Sequence, residues 1–201
     1  MNRIYACSTN PGKLREFVLA ARESGVSTLI VEPLPGLNEI PPPEETGSTF
    51  AQNASLKALY YSKFTRESVL ADDSGLEVRA LGGAPGIHSA RYAGAGATHS
   101  ANNEFLLRRL EGQTDRNARF VCVIALARKG KLLYTAEGTV NGEILEAPVG
   151  THGFGYDPLF HYPPLKRSFG ELLDGEKFLV SARGHALRAI LNAVSSARAL
   201  H

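Results

Sequence analysis

Net charge is what this chain has least of. Its 22 lysines and arginines against 20 aspartates and glutamates leave a formal +2 over 201 residues. That balance removes the case for non-specific nucleic-acid binding, which needs a clustered basic face. No nucleic-acid partner is expected, and an anionic ligand has to be held by a local site. Cysteine is scarce as well: Cys7 and Cys122 lie in the apolar runs IYACS and FVCVIALA, where buried free thiols of a reducing compartment are expected. No CxxC or Cys/His metal spacing occurs, which argues against a structural zinc site. The start MNRIYACSTN lacks an apolar h-region, and no apolar run approaches the length that crosses a bilayer. A cytoplasmic protein without a membrane partner is the expectation. Internal repeats, low-complexity tails and the P-loop pattern GxxxxGK[ST] are missing too, and the last absence disfavours phosphoryl transfer of that type.

What is present reads as an ordinary globular chain, 43% apolar and 21% charged, expected to form a single domain over residues 1–201. Residues 3–8 read as a strand. Asn10 then suits a helix N-cap with Pro11 at the first helical position, and Leu14, Phe17, Val18 and Ala21 form one apolar helix face. Residues 28–32 resemble a second strand, and this β-α-β opening argues for an α/β architecture. The proline-rich, acidic stretch 33–47 is a loop too long to be idle. A helix is predicted from near Thr49, and a buried strand over 68–72 ending in Asp72 and Asp73. Loops and short strands should follow through the glycine-rich segment after it. Another amphipathic helix includes 105–110. Strands over 119–128 and 132–140 should turn at Lys129-Gly130, the first of them central because 120–126 is apolar on both faces. A last helix carries Leu187, Ile190, Leu191 and Val194 on one stripe.

Four constellations can carry chemistry. Ser8, Thr9, Asn10 and Lys13 stand at a strand-to-helix junction, where backbone N–H groups and the dipole favour phosphate. The same residues are also good helix caps. Glu44, Glu45, Asp72 and Asp73 are carboxylates on loops or strand ends that can share a hard cation or deprotonate a water. From the local pattern alone an Asx turn is the more ordinary reading of Asp-Asp-Ser-Gly. Lys57, four residues after Asn53, is either a second phosphate cation or a solvated side chain. Phe154, Gly155, Tyr156 and Asp157 combine an aromatic ring with a carboxylate in a glycine-rich turn, which suits a planar base or a tight turn on core aromatics. Lys177, Ser181, Arg183, His185 and Arg188 form a basic cluster before the final helix. His88, His99, His152 and His161 show no ligand spacing and are expected to be structural or exposed.

Taken in order, STNPGKLREF, EETGSTFAQNASLKA, ADDSGLEV and ALGGAPGIHSARYAG either side of Arg79, GFGYDPLF, and EK with SARGHAL three residues on resemble the family of non-canonical purine triphosphate pyrophosphatases, the inosine triphosphatase or Ham1-like enzymes. The similarity runs nearly end to end. It implies an α/β fold with a long, twisted mixed sheet flanked by helices, and two lobes with a central cleft. It implies a homodimer that uses Mg²⁺ and hydrolyses ITP, dITP or XTP to the monophosphate and pyrophosphate. The phosphate-binding positions of the resemblance fall on Thr9, Asn10, Lys13 and Lys57, with Ser8 beside them. The metal-binding acids fall on Glu45 and Asp73, and Asp73 with Asp72 is expected to carry the catalytic step. Base recognition falls on Ser74, Phe154, Gly155, Tyr156, Asp157, Lys177, Ser181 and Arg183.

One departure stands out: the family's Ser-His-Arg is Ser181-Ala182-Arg183 here, which removes a side chain that normally contacts the base. Relaxed base selectivity is the expectation, and His185, three residues on, should point elsewhere. Two other readings remain: a Maf-type pyrophosphatase acting on pyrimidine or modified nucleotides, and a nucleotide sensor without turnover.

Overall fold

Short β-prone runs separated by capped helices produce an α/β chain. The structure, a computed structural model, describes residues 2–23 and 29–198. Strand β1 (Asn2–Ala6) buries Ile4, Tyr5 and Ala6 and pairs in parallel with β2 (Leu29–Pro33) on one side and β3 (Ser68–Val78) on the other. The expected strand over 28–32 is thus observed one residue later, with Thr28 outside the described residues. Helix α1 (Pro11–Glu23) fills the β1–β2 crossover, and Asn10 caps it as expected, its Oδ1 accepting from the N–H groups of Gly12 (2.9 Å) and Lys13 (3.2 Å). Helix α2 (Phe50–Tyr61) begins at the Thr49 cap, whose side chain accepts from Gln52 N.

Helix α3 (His99–Arg109) precedes β4 (Asn117–Arg128), which turns at Lys129-Gly130 into β5 (Lys131–Ile144). Both turn residues have positive φ, 50° and 74°, the backbone of a two-residue hairpin that matches strand twist. The sheet order is β2-β1-β3-β4-β5-β6-β7, with β6 (Phe160–Tyr162) antiparallel to β5 and to β7 (Arg167–Ser168). The sheet is mixed, seven-stranded and flanked by helices. As the apolar run 120–126 foretold, β4 is the fourth strand of the seven, buried from Val121 to Ala127. Helix α4 (Asp174–Val180) leads into α5 (Ala182–Arg198), whose Leu187, Ile190 and Leu191 are buried.

The chain divides into two compact units. The first holds Met1–Asp73, Cys122–Gly138 and Ala182–His201; the second holds Ser74–Val121 and Thr139–Ser181. Phe17, Leu70, Ile124, Leu187 and Ile190 fill the first core. In the second, Phe120, Phe160 and Phe169 form an aromatic cluster with ring centroids 4.6 to 6.0 Å apart.

Two expectations need correction. The strand expected to end at Asp72-Asp73 continues to Val78, so Asp-Asp-Ser-Gly is extended backbone and not an Asx turn. The two carboxylates have cationic partners on neighbouring helices, which removes the reason for the chain to turn out to solvent. The basic cluster placed before the last helix is spread over two helices, with Lys177 in α4 and Arg183, His185 and Arg188 inside α5. Seven-residue α4 is too short to show helical periodicity; Glu176, accepting from Leu173 N–H at 2.9 Å, starts it.

Candidate active site

Asp72 and Asp73 adjoin on β3, and successive strand residues point to opposite faces. Their partners divide accordingly. Asp72 Oδ2 lies 2.9 Å from Lys13 Nζ on α1 and 3.0 Å from Arg183 Nη2 on α5. Arg183 Nη1 donates to Glu16, one helical turn along α1 from Lys13. Asp72, Glu16 and Arg183 are all buried. On the other side, Asp73 Oδ1 lies 3.0 Å from Lys57 Nζ on α2, and Asp73 Oδ2 accepts from Asn53 Nδ2 at 3.2 Å. Lys57 Nζ is also 2.7 Å from Glu45 Oε1. Lys57 and Arg183 each bridge two acids and Lys13 adds a second cation to Asp72, which is how four carboxylates stay inside a packed unit: removing one partner of a buried ion pair costs about 3–5 kcal/mol.

The two aspartates are tuned in opposite directions. Burial pushes Asp72 up, but Lys13, Arg183 and Lys57 outweigh it and hold the carboxyl well below the usual range. Asp73 has fewer cations about it, so burial prevails and its pKa is raised. Burial pulls Lys57 down, yet Asp73, Asp72 and Glu45 together raise it. Arg183 is held protonated in the same way: burial opposes its charge, and Glu16 and Asp72 more than restore it.

Among the described residues no group of three His, Cys, Asp or Glu side chains forms a ready metal cage. What exists is a pair, Glu45 and Asp73, whose oxygens converge on one positive centre, the Lys57 ammonium. Two hard oxygen donors fit Mg²⁺, which keeps several waters and takes phosphate oxygens rather than demanding an all-protein shell. Glu44, beside Glu45, is exposed.

At the start of α1, the expected phosphate cradle differs in one respect. The N–H groups of Gly12 and Lys13 are taken by Asn10 Oδ1, and the Asn10 N–H donates to Ser8 Oγ at 3.2 Å. The polar groups offered there are therefore side chains: exposed Thr9, half-buried Ser8 and Asn10, and the Lys13 ammonium. An open depression of about 370 Å³ adjoins Ser8 and Thr9.

The second unit carries a different constellation. Asp157 Oδ2 accepts from Lys177 Nζ at 2.6 Å and from the Phe154 N–H at 2.7 Å, with both charged side chains buried. Lys177 Nζ also lies 4.3 Å from the Phe154 ring centroid, within cation–π range. Gly153 and Gly155 have φ of 75° and 63°; a Cβ on Gly153 would fall on the Asp157 carboxylate, so the turn needs glycine there. Tyr156 is buried and donates to Ser89 O at 2.9 Å, and burial raises its pKa. Ser74 is half-buried in β3, and Ser181 is buried between α4 and α5.

The structure thus gathers Lys13, Glu45, Lys57, Asp72, Asp73 and Arg183 in the first unit, and Phe154, Gly155, Tyr156, Asp157 and Lys177 in the second. Arg183, grouped by resemblance with Lys177, has Glu16 and Asp72 as its ion partners. Sequence reading gave Glu16 and Asn53 no role; their signal was helical spacing, three residues after Lys13 and four before Lys57. At the departure from the family, Ala182 is buried while His185 is exposed, so the two occupy different faces of α5, as expected. His88, His99 and His152 are exposed.

Cations shared with paired acids in the first unit, and an aromatic turn around a buried Lys–Asp pair in the second, are groups a nucleotide hydrolase can use. The chain belongs to the Ham1 family, whose profile matches residues 4–193. It is 51% identical over 197 residues to the dITP/XTP pyrophosphatase of Acidobacterium capsulatum, covering 94% of this chain and 96% of that one. Against the dITP/XTP pyrophosphatase of an Exiguobacterium strain it is 45% identical, covering 94% of each. Among solved structures, a HAM1 protein from Coxiella burnetii superposes with a TM-score of 0.86 at 39% identity, covering 98% of this chain and 100% of that chain. The Staphylococcus aureus Ham1 protein gives 0.84 at 39% identity, covering 97% and 99%.

Proposed function

We propose that this chain hydrolyses non-canonical purine nucleoside triphosphates, ITP, dITP and XTP, to the monophosphate and pyrophosphate, depends on Mg²⁺, and so clears such nucleotides from the pool. It is an enzyme of the nucleoside-triphosphate pyrophosphatase class, acting on the α–β phosphoanhydride, as the relatives' names and their 43–51% identity support. The observation that carries the reading is the convergence of Glu45 and Asp73 on one cation, one residue from an Asp72 tied to Lys13 and Arg183.

In this reading residues 1–201 work as one catalytic domain. Thr9, Asn10, Lys13 and Lys57, with Ser8, take the phosphate chain. Glu45 and Asp73 would hold Mg²⁺, which when bound would supply charge neutralisation on the phosphate oxygens. Asp73 accepts the proton of the water that attacks the phosphorus, and the P–O bond to the pyrophosphate breaks. Lys13 and Lys57 offset the charge gathering on that leaving group. Asp72, held ionised by its two cations, keeps Lys13 and Arg183 in place.

The base is assigned to Phe154, by stacking, and to Tyr156, Asp157, Lys177, Ser74, Ser181, Arg183 and the Gly155 backbone, by position and hydrogen bonding. A 6-oxo purine satisfies a fixed donor that a 6-amino purine opposes, and a mismatched buried polar group is costly. With Ala182 in place of histidine one such contact is missing, so discrimination should be weaker than in relatives that keep it. A homodimer and a cytoplasmic location complete the proposal; among the described residues no helix is long and apolar enough to cross a membrane.

The test is release of pyrophosphate and monophosphate, with Mg²⁺, from ITP, XTP, dITP, GTP, ATP, dTTP and UTP in turn. Rapid release from ITP, dITP and XTP is expected. Preference for dTTP or UTP would move the assignment to Maf-type chemistry, and binding without turnover would make the protein a sensor.

A further inference from the structure

The turn that bears Phe154 and Asp157 closes most of its own hydrogen bonds. Phe154 N–H goes to Asp157 Oδ2, Asp157 N–H goes to Phe154 O at 3.3 Å, and Tyr156 O accepts from Leu159 and Phe160. The amide and carbonyl of Gly155, at its tip, go elsewhere. Gly155 N–H donates to His99 Nδ1 at 3.2 Å, and Gly155 O accepts from Asn103 Nδ2 at 3.2 Å. His99 and Asn103 are i and i+4 on α3, so one helix face grips both sides of a single left-handed residue. Asn103 is buried, 8% exposed, and among the described residues its Oδ1 meets no hydrogen-bond partner. A residue that merely filled this space would be apolar, since a buried orphan acceptor is unfavourable. What the amide contributes is the donor aimed at Gly155.

We infer that His99 and Asn103 are positioning residues that fix the Gly155 peptide, and through it set the Phe154 ring and the Asp157–Lys177 pair for reading the purine base. This rests on the assignment of that turn to the base. Neither residue need touch substrate. Only the orientation of the turn depends on them, so their loss should alter base affinity and selectivity and leave phosphate binding alone.

The experiment compares Asn103→Leu, His99→Leu and His99→Asn with wild type. Leucine at 103 keeps the volume and removes the orphan acceptor, while asparagine at 99 can present an acceptor where Nδ1 stood. Asn103→Leu and His99→Leu should each raise KM for ITP about tenfold, the effect of roughly one lost hydrogen bond, with kcat changing much less. The ITP-to-ATP ratio of kcat/KM should fall in parallel. His99→Asn should restore wild-type KM, and inhibition by inorganic tripolyphosphate should be the same in all four proteins. Unchanged KM and selectivity in both leucine variants, or an equal loss of tripolyphosphate inhibition, would overturn the inference. If Asn103→Leu does not fold, the exposed position 99 carries the comparison alone. Phe154→Ala, run alongside, separates the two levels: if it leaves the ITP-to-ATP ratio intact, the assignment of the turn to the base fails. If it shifts that ratio and the α3 variants do not, only the positioning role fails.

Discussion

The two constellations are built on opposite principles. In the first unit seven charged side chains form a shared web: Glu16, Glu45, Asp72 and Asp73 divide Lys13, Lys57 and Arg183 among them. Lys57 and Arg183 each bridge two acids while Lys13 pairs with Asp72, a network of exchangeable charges that suits a polyanion. In the second unit a single buried pair, Lys177 and Asp157, is sealed against an aromatic ring and a glycine turn. That pair is buried, which suits recognition of a planar, uncharged ring by a defined hydrogen-bond pattern. Polyanion binding asks for adaptable charge, and base selection asks for rigid neutral shape.

The sharpest way to break this contrast is Asp73→Asn. It should lower kcat for ITP by about 10³-fold, because a positioned base is worth roughly 10²–10⁴. Retained turnover in a pyrophosphate-release assay would move the catalytic step away from Asp73. Next, Lys177→Met takes the ammonium away from the buried Asp157 carboxylate. Urea unfolding should show a loss of about 3 kcal/mol, and the ITP-to-ATP ratio should fall. Lys13→Met, by contrast, should raise KM for all triphosphates alike. If the two variants behave the same, the division of labour between the units is wrong.

Lys57→Met has an effect of unusual sign. The ammonium between Glu45 and Asp73 occupies the place of a cation, so its removal should tighten Mg²⁺ binding to the nucleotide-free protein by about tenfold, read by calorimetry, even as turnover falls. Weaker binding would show that these carboxylates do not hold the metal. Ala182→His should raise kcat/KM for ITP about fivefold, one hydrogen bond's worth. An unchanged value would exclude this position from base selection. A last effect concerns the thiols. Burial pushes Cys7 and Cys122 up to about 12, from an ordinary value near 9. A raised pKa stabilises the fold below the unfolded value and loses that contribution as pH rises from about 9 toward 12. Urea titrations at pH 8 and 10 should therefore show a drop of about 1.4 kcal/mol per thiol, absent from the Cys7→Ala/Cys122→Ala double variant.

Much of this was legible in the residues themselves. The Asn10-Pro11 cap, the Lys129-Gly130 turn and the central strand around Cys122 are local or periodic signals, decided within a few residues of chain. Lys13, Lys57, Asp72, Asp73 and Asp157 were legible as candidates as well, through the motifs that hold them. Their partners were not. Asp72 meets Arg183 across 111 residues and Glu16 meets Arg183 across 167, pairings that helix packing creates and no local spacing encodes. The same holds for the continuation of β3 through two carboxylates: local propensity favours a turn, and only cations brought in by α1, α2 and α5 make an extended, buried path favourable. Residue chemistry at the site is a property of the sequence. Which acid is held ionised, which is pushed toward its proton, and which helix steadies the base turn depend on burial and distance, and those exist only once the chain has folded.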